Sequence, residues 1–257
     1  MNASIQVTRD PSVQYLLRLG DTCLIHAQRL AEWCGHAPIL EEDIAMTNIA
    51  LDYIGQARAL LTLAGQREGA GHDEDQLAYL REERDYVNLT LVELPRGDFA
   101  VAMIRAYLLA SLLRHVWRAL ESSRDEALAA IAGKAIKEVR YHAQHAGEWV
   151  VRLGRGTPES ARRAHDALNA LWPYLREAFV ADPVDDHAHA TGFGPRWADL
   201  HDAWHTEVVQ TLAAAGLEPP PTTRFESAGK FGRHSEHMGY ILAELQHLQR
   251  AYPGGAW

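Results

Sequence analysis

The chain has 257 residues, is 47% hydrophobic and 23% charged, and carries a formal net charge of -9 from Asp+Glu 34 against Lys+Arg 25. This composition suits a globular protein with a sizeable core, and its acidity argues against nucleic acid as the main partner. Residues 1–12 lack the apolar run of a secretory signal, and no apolar stretch of about 20 residues stands out as a membrane span. The two cysteines, Cys23 and Cys34, fall on one expected helix. Their separation of about 16 Å along its axis is too great for a disulfide. A reduced, cytoplasmic protein is the expectation.

Residues 1–12 read as a loose N-terminal arm, and 13–257 as a single helical domain. A first helix is expected over 13–34, where Leu16, Leu19, Cys23, Leu30 and Trp33 form one apolar stripe before Gly35 and Pro38 end it. A second spans 41–66, opening on Glu41, Glu42 and Asp43, where the helix dipole favours acid. The break REGAGHDEDQ (67–76) leads to a shorter helix over 75–88, then to the connection LTLVELPRGDF (89–99). A third long helix covers 99–122 and a fourth 126–153. Two long hairpins joined by a crossover make an all-α, ferritin-like four-helix bundle the expected fold. Additional C-terminal helices follow. Thr157 as cap and Pro158 at the first helical position open one that runs to 179. Residues 181–195 read as loop, 196–215 as helix, 216–234 as a proline- and glycine-rich segment, and 235–252 as a last helix. There is no fixed-period repeat, glycine-rich phosphate loop or nucleophile elbow.

The stretch KEVRYHAQHAGEW (137–149) raises the question of a metal. Advancing roughly 100° per residue from Glu138, His142 falls near +40°, His145 near −20° and Trp149 near +20°, a narrow polar stripe bordering the apolar face. A ferritin-like di-iron site takes a Glu from each of two helices and Glu-x-x-His from each of the other two. Three residues after Glu138 stands Tyr141, not His. The second helix offers the ladder Asn48, Asp52 and Gln56, with Gly55 where a histidine would be needed. The third has no acid before Glu121, and only Ser111 as a small polar residue mid-helix. The expectation is no catalytic residue and no bound metal. Asp52, Glu138, His142 and His145 are read as degenerate di-iron positions turned into a buried polar network. The Glu-x-x-His of Glu244 and His247 stands alone on the last helix, and His234 and His237 cluster at its start. Both are read as chance groupings.

Residues 15–58, YLLRLGDTCLIHAQRLAEWCGHAPILEEDIAMTNIALDYIGQAR, resemble the first hairpin of the PaaC family, components of phenylacetyl-CoA epoxidase (phenylacetate-CoA oxygenase). So do REERDYVNLTLVELPRGDFA (81–100), AIAGKAIKEVRYHAQHAGEWVVRLGRGT (130–157) and HSEHMGYILAELQHLQRAYPG (234–254). The resemblance spans nearly all the chain outside 1–12 and the loop near 182–194. It implies a ferritin-like, non-catalytic structural subunit in aerobic phenylacetate catabolism, with no cofactor of its own. It further implies a related catalytic subunit that carries di-iron and binds most of the phenylacetyl-CoA, a small accessory subunit, and a reductase with FAD, iron–sulfur and NADPH. The alternative is a free-standing ferritin-like di-metal oxidase or iron-handling protein. The first hairpin and the connection 81–99 are expected to face the partner. Lys230 and Arg233 are candidates for a partner- or CoA-facing basic segment, a solvated turn being the other reading. Self-association of the isolated chain as a homodimer stays open.

Overall fold

A computed structural model describes residues 4–255; residues 1–3 of the expected arm, and residues 256 and 257, lie outside the described part. Among the described residues there are nine α-helices and no strand, only an isolated bridge between Ala228 and Arg233. The helices are α1 (Pro11–Ala31), α2 (Leu40–Glu68), α3 (Glu74–Tyr79), α4 (Phe99–Leu120), α5 (Glu126–Arg155), α6 (Pro158–Leu171), α7 (Pro183–Thr191), α8 (His201–Ala215) and α9 (Met238–Ala251). The fold is all-α, of the ferritin-like helical kind with extra helices. The chain divides into two compact units, Met1–Cys34 with Ile44–Pro95 and Ser227–Trp257, and Gly35–Asp43 with Arg96–Glu226.

The first unit holds α1 against most of α2. Asp10 starts α1 by accepting from the amides of Ser12 and Val13, with Pro11 in the first turn. The two helices run antiparallel: a Cβ on Gly20 would lie 3.1 Å from Leu61, Cys23 Sγ lies 3.7 Å from Gln56, and the rings of His26 and Tyr53 are 5.0 Å apart. From Ser4 to Asp10 the arm is irregular but tied down, since the Ile5 amide donates to Leu80 O (3.1 Å) and that of Thr8 to Glu68 (2.9 Å).

The second unit holds α4 against α5, α6 and α8. Asp98 and Asp125 cap α4 and α5. These two helices are also antiparallel, Phe99 meeting Trp149 edge-on at 5.0 Å and the Tyr107 ring lying over Gly147. Trp117, Trp197 and Trp204 are buried here, and Ser111, the lone small polar residue of α4, accepts from Trp204 Nε1 at 3.0 Å. With a mean hydropathy of 1.4 over its best window, α4 is long and apolar enough to cross a membrane, against the expectation. That window is 78% buried inside the protein, as in a core helix.

Two further expectations change. Residues 181–195 are not all loop: Asp182 caps α7, Pro183 opens it, and Gly192 at φ 72° closes it. The helix expected over 75–88 stops at Tyr79, followed by a 3-10 turn at Glu83–Asp85. Side chains there outcompete the helical ladder, because Arg81 turns inward to Asp21, and Asp21 and Thr22 take the amides of Val87 and Leu89.

Candidate functional site

On α5, Leu128, Ala132, Ile136, Val139, Ala143, Ala146 and Val150 face inward, which sets the azimuth of the polar stripe beside them. Glu138 is half-buried, with Lys134 Nζ 3.6 Å away, one turn back on the same helix. His142 is buried, edge-on to Tyr141 at 6.3 Å. His145 turns instead to the first turn of α2, with Nε2 2.8 Å from Glu42 Oε2, and Tyr141 stacks on its ring at 5.9 Å. Glu42, only 8% exposed, is thus a partner that the sequence showed solely as first-turn acid. Within the stripe, His145 thus reaches across to α2. Trp149 packs on Phe99 and lies under Arg152.

In the first unit Asp52 is half-buried on α2. Of the ladder expected with it, Asn48 is exposed and Gln56 buried against Cys23. Burial, reinforced by the charges of Cys23 and Asp52, pushes the Tyr53 hydroxyl well above its ordinary pKa of 10.0, so it stays protonated. Among the described residues no group of three or more His, Cys, Asp or Glu side chains is placed as metal ligands would be. Within the stripe, one carboxylate is salt-bridged to Lys134 and one imidazole nitrogen is bonded to Glu42. Glu244 and His247 are both exposed on α9.

The densest polar chemistry lies around the connection after α3. Arg81 and Asp21 form an ion pair with neither side chain exposed. Asp21 also accepts from the Val87 amide at 3.0 Å, Arg81 reaches Asp85 O at 3.1 Å, and its guanidinium sits 4.2 Å from the centre of the Tyr86 ring. Burial opposes the Arg81 charge, but Asp21 outweighs it and the pKa is raised. Burial likewise pushes the Tyr86 hydroxyl up to about 12. Gln246 of α9 donates to that hydroxyl at 3.0 Å and to Arg81 O at 3.1 Å. Residues 86–93 are all buried. Their far end is fixed by Glu93, which accepts from Asn88 (2.9 Å), His234 Nδ1 (2.6 Å) and the Ser235 amide (2.7 Å), while Arg29 bonds Glu93 O at 2.7 Å. His234, read as a chance grouping, is thus a structural clasp. Burial lowers its pKa, the bond and charge of Glu93 raise it by more, and the net shift is upward from 6.5.

Of the candidate basic segment, Lys230 is 2% exposed, with Nζ 5.2 Å from the Phe231 ring, and Arg233 is exposed. Gly229 brings the segment close: its amide donates to Thr90 Oγ1 at 3.0 Å, and a Cβ there would lie 2.6 Å from Asn88 O.

A family model described as phenylacetic acid catabolic protein matches residues 1–257. The chain belongs to this family. It is 46% identical, over 243 residues, to a subunit of the 1,2-phenylacetyl-CoA epoxidase of Escherichia coli strain K12, an alignment covering 95% of this chain and 98% of that protein. As a member of the phenylacetic acid catabolic family, the chain thus has a relative whose very name makes it one component of a larger enzyme. A surface for another polypeptide is therefore as relevant to function as a pocket. The sequence did carry part of the signal: Asp21 and Glu93 are acids set in largely apolar stretches, which must be paired if buried, whereas Arg81 is hidden in the charged run 81–85. Nothing in the sequence paired them across 60 or more positions.

Proposed function

We propose that this chain is a non-catalytic structural subunit of a multicomponent phenylacetyl-CoA epoxidase, acting in the cytoplasm in aerobic phenylacetate catabolism. It binds and supports a di-iron catalytic subunit that holds most of the phenylacetyl-CoA. A small accessory subunit, and a reductase with FAD, iron–sulfur and NADPH, complete the system. The similarity to the E. coli epoxidase component over nearly the full length of both chains carries this reading. The α5 stripe supports the non-catalytic part, since its carboxylate and one imidazole are engaged by Lys134 and Glu42. In this reading Asp52, Glu138, His142 and His145 hold structure rather than metal, and Arg233 is the exposed cation left to meet an anionic partner or CoA tail.

The test is metal content and co-purification. The isolated chain, incubated anaerobically with ferrous iron and desalted, should retain close to none, and a tagged chain should retain its catalytic subunit. Iron at about two per chain, the occupancy of a ferritin-like di-iron site, would favour a free-standing metalloprotein and sink the proposal.

A further inference from the structure

The second unit contains a cavity of about 840 Å³, a size that takes a small organic molecule. Its lining is rich in aromatic rings. Trp172 stacks on buried Trp204 at 5.9 Å, and Phe179 lies 5.0 Å from Trp204 and 4.9 Å from His201. The imidazoles of His201 and His205, one turn apart on α8, stack at 5.5 Å. The proline-rich segment after α8 supplies the rest, through Pro219, Pro220 and Phe225. That segment is pinned to the 3-10 helix Trp172–Phe179, since Phe225 meets Tyr174 edge-on at 4.8 Å and Glu226 lies 3.1 Å from Arg176. Three separate stretches of chain thus converge on one hollow.

The charges around it select a cation. Arg176 is the one arginine or lysine in the lining, and Glu226 offsets it. Asp199 and Asp202 are two acids of the same lining. Asp202 bonds His201 Nδ1 at 2.9 Å, whereas Asp199 is exposed and has no ion pair among the described residues. Aromatic faces are electron-rich and attract positive charge, most strongly those of tryptophan. His205 adds an acceptor: it makes ring contacts but no hydrogen bond among the described residues. A carboxylate or phosphate entering here would meet two acids and a guanidinium that is already paired.

We propose that this cavity is a binding site for a small organic cation, an aromatic ring carrying an alkylammonium group, with the ring between Trp172 and Phe225 and the ammonium toward Asp199 and His205. The site goes beyond the subunit reading above and does not depend on it.

The test titrates the full-length chain, by calorimetry, with 2-phenylethylammonium. Two further probes, 2-phenylethanol and 3-phenylpropionate, keep the ring and carry a neutral and an anionic head. The ammonium should bind at least about tenfold more tightly than the alcohol, the value of a cation held over aromatic faces, and the carboxylate should bind most weakly. Asp199→Asn should weaken the ammonium about threefold and leave the alcohol unchanged. Phe225→Ala should weaken both. Both positions are exposed, so the fold, followed by circular dichroism, should survive, and Asp199→Asn decides the matter alone if Phe225→Ala does not fold. Equal affinities for the three probes, or tightest binding of the carboxylate, would overturn the choice of a cation. Absence of saturable ammonium binding, or wild-type affinity in the folded variants, would overturn the site.

Discussion

Removing the Asp21 carboxylate should be among the most damaging single changes in the first unit. In Asp21→Ala the Arg81 guanidinium, with none of its side chain exposed, loses its counter-ion, and the Val87 amide loses its acceptor. Stranding one partner of a buried ion pair costs about 3–5 kcal/mol, and the orphaned amide places this case toward the upper end. For a chain of this size that corresponds to a fall in melting temperature of about 6–20 °C. Urea unfolding followed by circular dichroism measures the loss. Hydrogen exchange at the Val87 amide localises it, because protection there should drop even under conditions where the fold persists. The double variant Asp21→Leu/Arg81→Met removes both charges and should recover most of the stability, since the penalty belongs to the unpaired charge and not to the missing pair. A loss below about 1 kcal/mol in Asp21→Ala, the value of an exposed pair, would refute the reasoning, as would a double variant no better than the single one.

The His234–Glu93 clasp should make stability depend on pH. The folded pKa of His234 is raised above 6.5, so its contribution is fully present below that value and is lost as pH rises through the raised pKa. Between about pH 6 and about pH 9 the wild type should lose more unfolding free energy than His234→Leu, and equal losses would remove the clasp from the account. Two glycines of α5 should respond oppositely to alanine. At Gly133 an added Cβ meets nothing within 4 Å, so Gly133→Ala should stabilise by about 0.5–1 kcal/mol. At Gly154 it would lie 2.3 Å from Ala215 O, so Gly154→Ala should destabilise by about 1–3 kcal/mol, and thermal melts distinguish the two. His145→Ala strands the buried Glu42 and should cost about 1–3 kcal/mol in the same melts.

The long helices were legible because their signals are local. Asp98 and Asp125 precede the apolar runs they cap, and the stripe of α1 repeats at helical spacing. The signals for α7 are equally local, Asp182 and Pro183 before it and Gly192 after it, but four histidine and aspartate positions in so short a segment have the composition of a loop and mask them. The end of α3 was not legible in this way. Residues 80–88 have ordinary helical content, and what stops them is a side chain on another helix, Asp21, that takes an amide the helix would have used. The polar stripe of α5 was visible as a stripe, but periodicity reports azimuth and not partners, so it could not show that His145 turns to Glu42 while Glu138 stays beside Lys134.

The same distinction explains why counting ligand types along a ferritin-like sequence is informative but incomplete. A carboxylate becomes a ligand only where neighbouring donors leave its oxygens available, and in the first unit the fully buried carboxylates are already committed. Asp21 accepts from Arg81 and the Val87 amide; Glu93 accepts from Asn88, His234 and the Ser235 amide. Both act on the segment 86–93, which has little regular backbone pairing of its own and must satisfy its buried amides and carbonyls through side chains. These buried carboxylates fix an irregular strap between α1 and α9. What this gives the first unit is a segment without regular pairing that is held at both ends by buried charges, Asp21 with Arg81 and Glu93 with His234.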